Sequence, residues 1–151
     1  MMMKFSKKIL TVGIIASSLA FSAQSAFAAT IYEQSNNDSY NYAQVISQYG
    51  NDTIVGNLSS SSDRDWYTFT TQPSDAGRRI YVVLNNPTGY HADFVMNKGT
   101  GSTFDKTWMS FGNDNVGLYF TAEGSTRYNI VISPAGTDDP SSNYYLNVTI
   151  Q

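Results

Sequence analysis

The chain has 151 residues with no cysteine and a single histidine, and its nine basic side chains are outnumbered by twelve acidic ones. Lack of cysteine excludes a disulfide-stapled scaffold, and one histidine leaves almost no material for a histidine-based triad or a multi-histidine zinc centre. The acidic balance makes nucleic acid and anionic membrane surfaces poor partners.

The chain opens with Lys4, Lys7 and Lys8, runs apolar from Ile9 to Phe21, and reaches Ala26-Phe27-Ala28. That is the three-part layout of an export signal, with cleavage expected after Ala28, or one residue later as the alternative. The apolar run is interrupted by Thr11, Ser17 and Ser18 and falls short of the roughly 20 apolar residues of a membrane span. A retained single-span anchor is the alternative. No cysteine follows to carry a lipid anchor. Residues 29–151 hold all twelve acidic and six of the basic residues, a net charge of −6, and their length suits one domain. The expectation is a secreted protein, extracellular or associated with the cell envelope, without a stable membrane anchor.

After a polar opening from Tyr32 to Ser39, only Tyr40 to Gln48 suits a short helix, with Ala43, Val45 and Ile46 toward one side and two turns at most. From Thr53 onward, short runs of β-branched and aromatic residues alternate with Gly, Asn, Asp, Ser and Pro clusters. They predict strands at Thr53 to Leu58, Trp66 to Thr71, Arg79 to Asn85, Tyr90 to Met96, Thr103 to Ser110, Val116 to Thr121, Arg127 to Ser133 and Tyr144 to Ile150. Successive strand residues face opposite sides of a sheet. The inward sets are therefore Ile80, Val82 and Leu84; Val116, Leu118 and Phe120; Tyr128, Ile130 and Ile132; and Tyr144, Leu146, Val148 and Ile150. Turn residues such as Asn86-Pro87-Thr88-Gly89 and Glu123-Gly124-Ser125 break the alternation where strands must end. The expected fold is all-β: one antiparallel two-sheet sandwich of jelly-roll type, with about eight strands and one short N-terminal helical turn.

The opening Glu33-x-Ser35-x-Asn37-Asp38, then Gly56-x-Leu58, then Asp63-x-Asp65-Trp66-Tyr67-x-Phe69 resembles the bacterial pre-peptidase C-terminal domain, to which the collagen-binding modules of bacterial collagenases are similar. The resemblance runs from about Glu33 to Ile150. It implies an eight-stranded jelly-roll sandwich, usually attached behind a secreted peptidase, that assists substrate binding or enzyme export. This chain departs from the pattern in carrying no peptidase. The resemblance also implies calcium as a cofactor, held by Glu33, Asn37, Asp38, Asp63 and Asp65. One position departs: Ser35 stands where the family's motif has a second glutamate, against a two-ion site.

Independently of the family, two oxygen-rich segments brought together can supply the six to eight hard ligands that calcium requires. The competing reading is plain local structure, with Asn37-Asp38 capping the short helix and Ser62-Asp63-Arg64-Asp65 forming a polar turn. Asn113-Asp114-Asn115 reads as a loop turn. Catalysis finds little support: no Gly-x-Ser-x-Gly or His-Glu-x-x-His stretch occurs, and Glu33 and Glu123 are the only glutamates. His91 with Asp93, two residues apart on one strand, is the pair to test first.

Tyr81, Trp108, Tyr119 and Tyr145 fall opposite the inward sets, with the register of Thr103 to Ser110 ambiguous. Such a face either binds an extended polymer or is stabilised by cross-strand aromatic pairing alone. The resulting expectation is a non-enzymatic binding module, calcium-stabilised, whose partner is an extracellular polysaccharide or protein. The rival expectation is an accessory inhibitor or a folding or export helper of a separate, co-secreted peptidase.

Overall fold

The computed structural model of the chain describes residues 29–47, 49, 52–112, 114–136 and 141–151. The expected leader, residues 1–28, lies outside the described residues, as do Gln48 and Asn113. Ten strands are present: β1 (Thr30–Tyr32), β2 (Gln44–Val45), β3 (Thr53–Gly56), β4 (Asp65–Thr70), β5 (Arg79–Asn85), β6 (Ala92–Lys98), β7 (Thr107–Ser110), β8 (Val116–Thr121), β9 (Arg127–Pro134) and β10 (Tyr144–Ile150). They form a six-stranded sheet in the order β1-β3-β10-β5-β8-β7 and a four-stranded sheet in the order β2-β4-β9-β6.

The alternation of side chains decides which surfaces meet. Ile80, Val82, Leu84, Leu118, Leu146 and Val148 of the larger sheet are almost wholly buried against Tyr67, Phe69, Phe94, Ile130 and Ile132 of the smaller. Each such side chain contributes about 1.5–3 kcal/mol relative to exposure. Aromatic rings fill the middle of one end, where Phe104, Phe120 and Tyr128 lie 4.7 to 5.2 Å apart. Val116 and Ile150, expected inward, are only partly buried at the ends of their strands.

Two expectations are corrected. The N-terminal helix is reduced to a single 3-10 turn at Tyr40–Tyr42, and Gln44–Val45 continues instead as a strand. The reason is tertiary. Nine residues cannot sustain a helix in isolation, whereas Val45 pairs with Thr68 and the Ile46 N–H donates to the Thr68 carbonyl at 2.8 Å. The strand count rises to ten because β1 and β2 are too short to show alternation. Both pair in parallel, β1 with β3 and β2 with β4, whereas the remaining ladders are antiparallel.

This parallel pairing positions the candidate site. The segment between β1 and β2 passes from the six-stranded to the four-stranded sheet, and the segment between β3 and β4 makes the same crossing beside it. The two are stitched together by Glu33 N–H to the Val55 carbonyl (2.9 Å) and Trp66 N–H to the Asn37 carbonyl (2.8 Å). The two acidic stretches of the sequence are thereby brought side by side.

Candidate functional site

Oxygens of Asp38, Asp63 and Asp65 all lie within 4.8 Å of one another where the two crossings run together. Asp38 is exposed, Asp63 half-buried and Asp65 buried, so the three carboxylates run from the surface inward. Asp38 and Asp63 line a recess of about 240 Å³ together with Ser59, Ser60, Ser62 and Arg64. Asp63 is fixed by its own loop: Oδ2 accepts from the Ser59 N–H (2.6 Å) and Ser59 Oγ (2.7 Å), and Oδ1 accepts from the Arg64 N–H (2.8 Å). The Arg64 guanidinium bonds to loop carbonyls, and no lysine or arginine among the described residues pairs with any of the three carboxylates.

Asp65 points inward because Asp65, Tyr67 and Phe69 alternate along β4 onto the buried face. Behind it runs a hydrogen-bonded chain. The Tyr144 hydroxyl donates to Asp65 Oδ2 at 2.6 Å, which leaves Tyr67, 2.7 Å away, as donor to Tyr144. Glu33 completes this layer, accepting through Oε2 from the Asn57 N–H (2.8 Å), with the Tyr144 hydroxyl oxygen 3.3 Å away. Gly56 sits opposite Tyr144 in the ladder, and a Cβ there would collide with the Tyr144 ring and the Glu33 carboxylate. The motif's glycine is therefore required by the close approach of these groups.

Burial governs the electrostatics. Loss of solvent pushes the Asp65 carboxyl up to about 8, reinforced by the charges of Glu33 and Asp63. Burial likewise raises Glu33 above the ordinary carboxylate range, against the hydrogen bonds it receives. The Tyr67 and Tyr144 hydroxyls are raised by burial and stay protonated. Without a cation, the pair Glu33–Asp65 retains a proton at neutral pH.

The five expected ligands thus separate into layers. Asp38, Asp63 and Asp65 meet, Glu33 sits behind Asp65, and Asn37 is 1% exposed. Its carbonyl is taken by Trp66, while its side-chain Nδ2 is buried without a hydrogen-bond partner. The neighbouring carboxylate, carbonyl and hydroxyl oxygens are the hard donors that a calcium ion requires. The capping alternative finds no support: the 3-10 turn is preceded by Ser39, with no side-chain cap bond. Tyr67 and Tyr144, which back the site, were not singled out for it by sequence reasoning, although their inward alternation was legible.

The aromatic face is partly as expected. Tyr81 and Tyr119 face each other across β5 and β8 on the outer side of the six-stranded sheet, with ring centres 5.7 Å apart and the Arg79 guanidinium 4.8 Å from the Tyr119 ring. Tyr145 lies on the same outer side, opposite Val55, which in turn faces Tyr32. Tyr32 is 71% exposed and escaped sequence reasoning because its three-residue strand carries no pattern. Trp108 is a correction. It pairs with Leu118, an inward residue, and packs on Phe94 of the other sheet at 5.4 Å, so it closes the gap between the two sheet edges.

His91 and Asp93 do not form a pair. His91 Nδ1 lies 3.3 Å from Asp114 Oδ1, while Asp93 Oδ1 accepts from the Phe94 N–H. The stretch around Asp114 is the loop turn expected, with Asp114 at φ 62° and its carbonyl bonded by the Asn86 side chain.

No family model and no curated protein matches the chain. Among solved structures, it is similar to the pre-peptidase C-terminal domain of the collagenase from Bacillus anthracis. That match has a TM-score of 0.56 and 22% identity, and covers 71% of this chain and 94% of that one. The chain accordingly has the fold of a pre-peptidase C-terminal domain.

Proposed function

We propose that this protein is a non-enzymatic binding module of the cell exterior. It holds an extended extracellular polymer or protein on the outer face of its six-stranded sheet, and a calcium ion ties together its two chain crossings. The observation that carries the calcium reading is the meeting of Asp38, Asp63 and Asp65 with no basic partner among the described residues. Asn37 is buried beside them, and Glu33 backs Asp65. A bound cation supplies positive charge that lets these carboxyls ionise; the chain's own residues supply the oxygens and the hydrogen-bonded backing. The binding reading is supported by exposed aromatic rings on one flat face, at Tyr32 and Tyr145, which offer large contact area at low entropy cost.

Thermal melts in excess EDTA and in millimolar calcium test the first part, since a ligand of the folded state raises its stability by mass action. The expected result is a rise of several degrees in calcium, absent when Asp63→Asn and Asp65→Asn are combined. An unchanged midpoint removes calcium from the account. Sedimentation with insoluble collagen, cellulose, chitin and cell-wall polymer tests the second part. Retention on one of these, lost in Tyr32→Ala with Tyr145→Ala at an unchanged melting point, is the supporting outcome.

A further inference from the structure

The four-stranded sheet carries a second feature, remote in kind from the carboxylate cluster: an arginine held in place without a carboxylate partner among the described residues. Arg127 begins β9 on its outer face, and its guanidinium carbon lies 4.6 Å from the centre of the Tyr40 ring. Its Nε donates to Thr68 Oγ1 at 2.8 Å and to Asn129 Oδ1 at 3.1 Å. Both acceptors are themselves fixed and buried. Thr68 spends its hydroxyl hydrogen on the Tyr128 carbonyl, which leaves its oxygen free to accept. Asn129, 0% exposed, donates through Nδ2 to Asn97 Oδ1 (2.8 Å) and the Gly99 carbonyl (2.9 Å), so its oxygen must face Arg127. Tyr40 is held in turn by Trp66, edge-on at 6.0 Å, and by its hydroxyl bond to the Gly99 carbonyl.

The plane of the guanidinium is thus set from three directions through Nε and the ring face. Neither terminal nitrogen makes a hydrogen bond, and no carboxylate pairs with Arg127, among the described residues. The other cations are placed differently. Arg78 pairs with Asp75 and Lys98 with Glu123, Arg64 bonds to its own loop, Arg79 lies over the Tyr119 ring, and Lys106 lies over the Phe104 ring with its Nζ bonded to the Phe104 carbonyl. The side chain also borders a recess of about 370 Å³ whose other walls include Asn41, Ala43, Val45 and Thr70. A planar fork with two free donors matches a carboxylate in bidentate geometry.

We infer that Arg127 and the recess beside it form a second binding site, one that takes the acidic side chain of an extended polypeptide. The carboxylate docks on the two terminal nitrogens, while Ala43, Val45 and Tyr40 give apolar surface to the residues flanking it. The recess adjoins β2, a two-residue edge strand whose outer backbone groups are open to an added chain. That arrangement, a sheet edge that can take up an extended backbone, favours a peptide over an acidic polysaccharide.

The test is an NMR titration of the purified protein, following the Arg127 Nε–H signal and the Thr68 and Thr70 amides. The probes are the blocked peptide Gly-Val-Glu-Val-Gly, its glutamine counterpart, and polygalacturonate. The expected result is saturable shifts at Arg127 with the glutamate peptide, at least tenfold weaker binding of the glutamine peptide, and a comparable loss in Arg127→Lys, which keeps charge without the fork. Equal binding of the two peptides, shifts centred elsewhere, or tighter binding of polygalacturonate overturns the inference. Should Arg127 variants fail to fold, Asn41→Glu places a competing carboxylate at the mouth of the recess. It is expected to abolish binding, and undiminished binding in that variant overturns the site.

Discussion

Asp65 is the residue whose chemistry depends most on its surroundings. Its carboxyl, pushed up to about 8 by burial, holds a proton in the folded chain that the unfolded chain releases near the ordinary carboxylate value. Between those two values unfolding releases a proton, so rising pH favours the unfolded state. Glu33, also raised, acts in the same direction. In EDTA the melting temperature is therefore expected to fall by several degrees between about pH 5 and about pH 8. Asp65→Asn, which carries no proton to lose, is expected to flatten that slope; a slope equally steep in the variant contradicts the assignment. Gly56 makes a second prediction at this scale. A methyl group there meets Tyr144 and Glu33, and overpacking of this kind costs about 2 kcal/mol. Urea unfolding of Gly56→Ala should show the loss, with a weakened calcium response alongside it.

At the scale of elements, the N-terminal segment shows what propensity alone misjudges. Tyr40 to Gln48 has a one-sided apolar pattern, yet the chain makes only one 3-10 turn before β2 pairs with β4. Gln44, 5% exposed, anchors this arrangement: its side-chain Oε1 accepts from the Gln34 N–H (2.8 Å) and its Nε2 donates to the Tyr32 carbonyl (3.0 Å). Here the glutamine closes the β1–β2 segment on itself, satisfying the Gln34 N–H and the Tyr32 carbonyl. Gln44→Ala leaves those groups unsatisfied, at a cost of about 2 kcal/mol. Hydrogen exchange should show the Ile46 amide protected in the parent, through its bond to Thr68, and faster in the variant.

For the molecule as a whole, the two sheets must be closed at their shared open side, where β7 and β6 are the edge strands. Trp108 does this by lying over Phe94. Half of its surface remains exposed, so Trp108→Ala is expected to cost about 2 kcal/mol, below the usual range for a fully buried tryptophan. Polymer binding by the outer face of the six-stranded sheet should be unaffected in that variant once it is folded. Chemical denaturation and co-sedimentation together distinguish this closing role from a contact with ligand.

The sequence by itself determined the class of fold, the extents of β5, β8 and β10 and the inward faces of the long strands, because a two-residue period over six or seven residues leaves one arrangement that buries its apolar side. It also marked both acidic stretches and the glycine between them. Tertiary structure alone decided that the stretches meet, because the two crossings lie side by side only once β1 and β2 have paired in parallel with their neighbours. Those strands, of three and two residues, are too short to carry a local signal. For the same reason the face occupied by Trp108 and the isolation of Arg127 from every described carboxylate were illegible. Each depends on which strand lies opposite, and that is fixed by ladders between residues far apart in the chain.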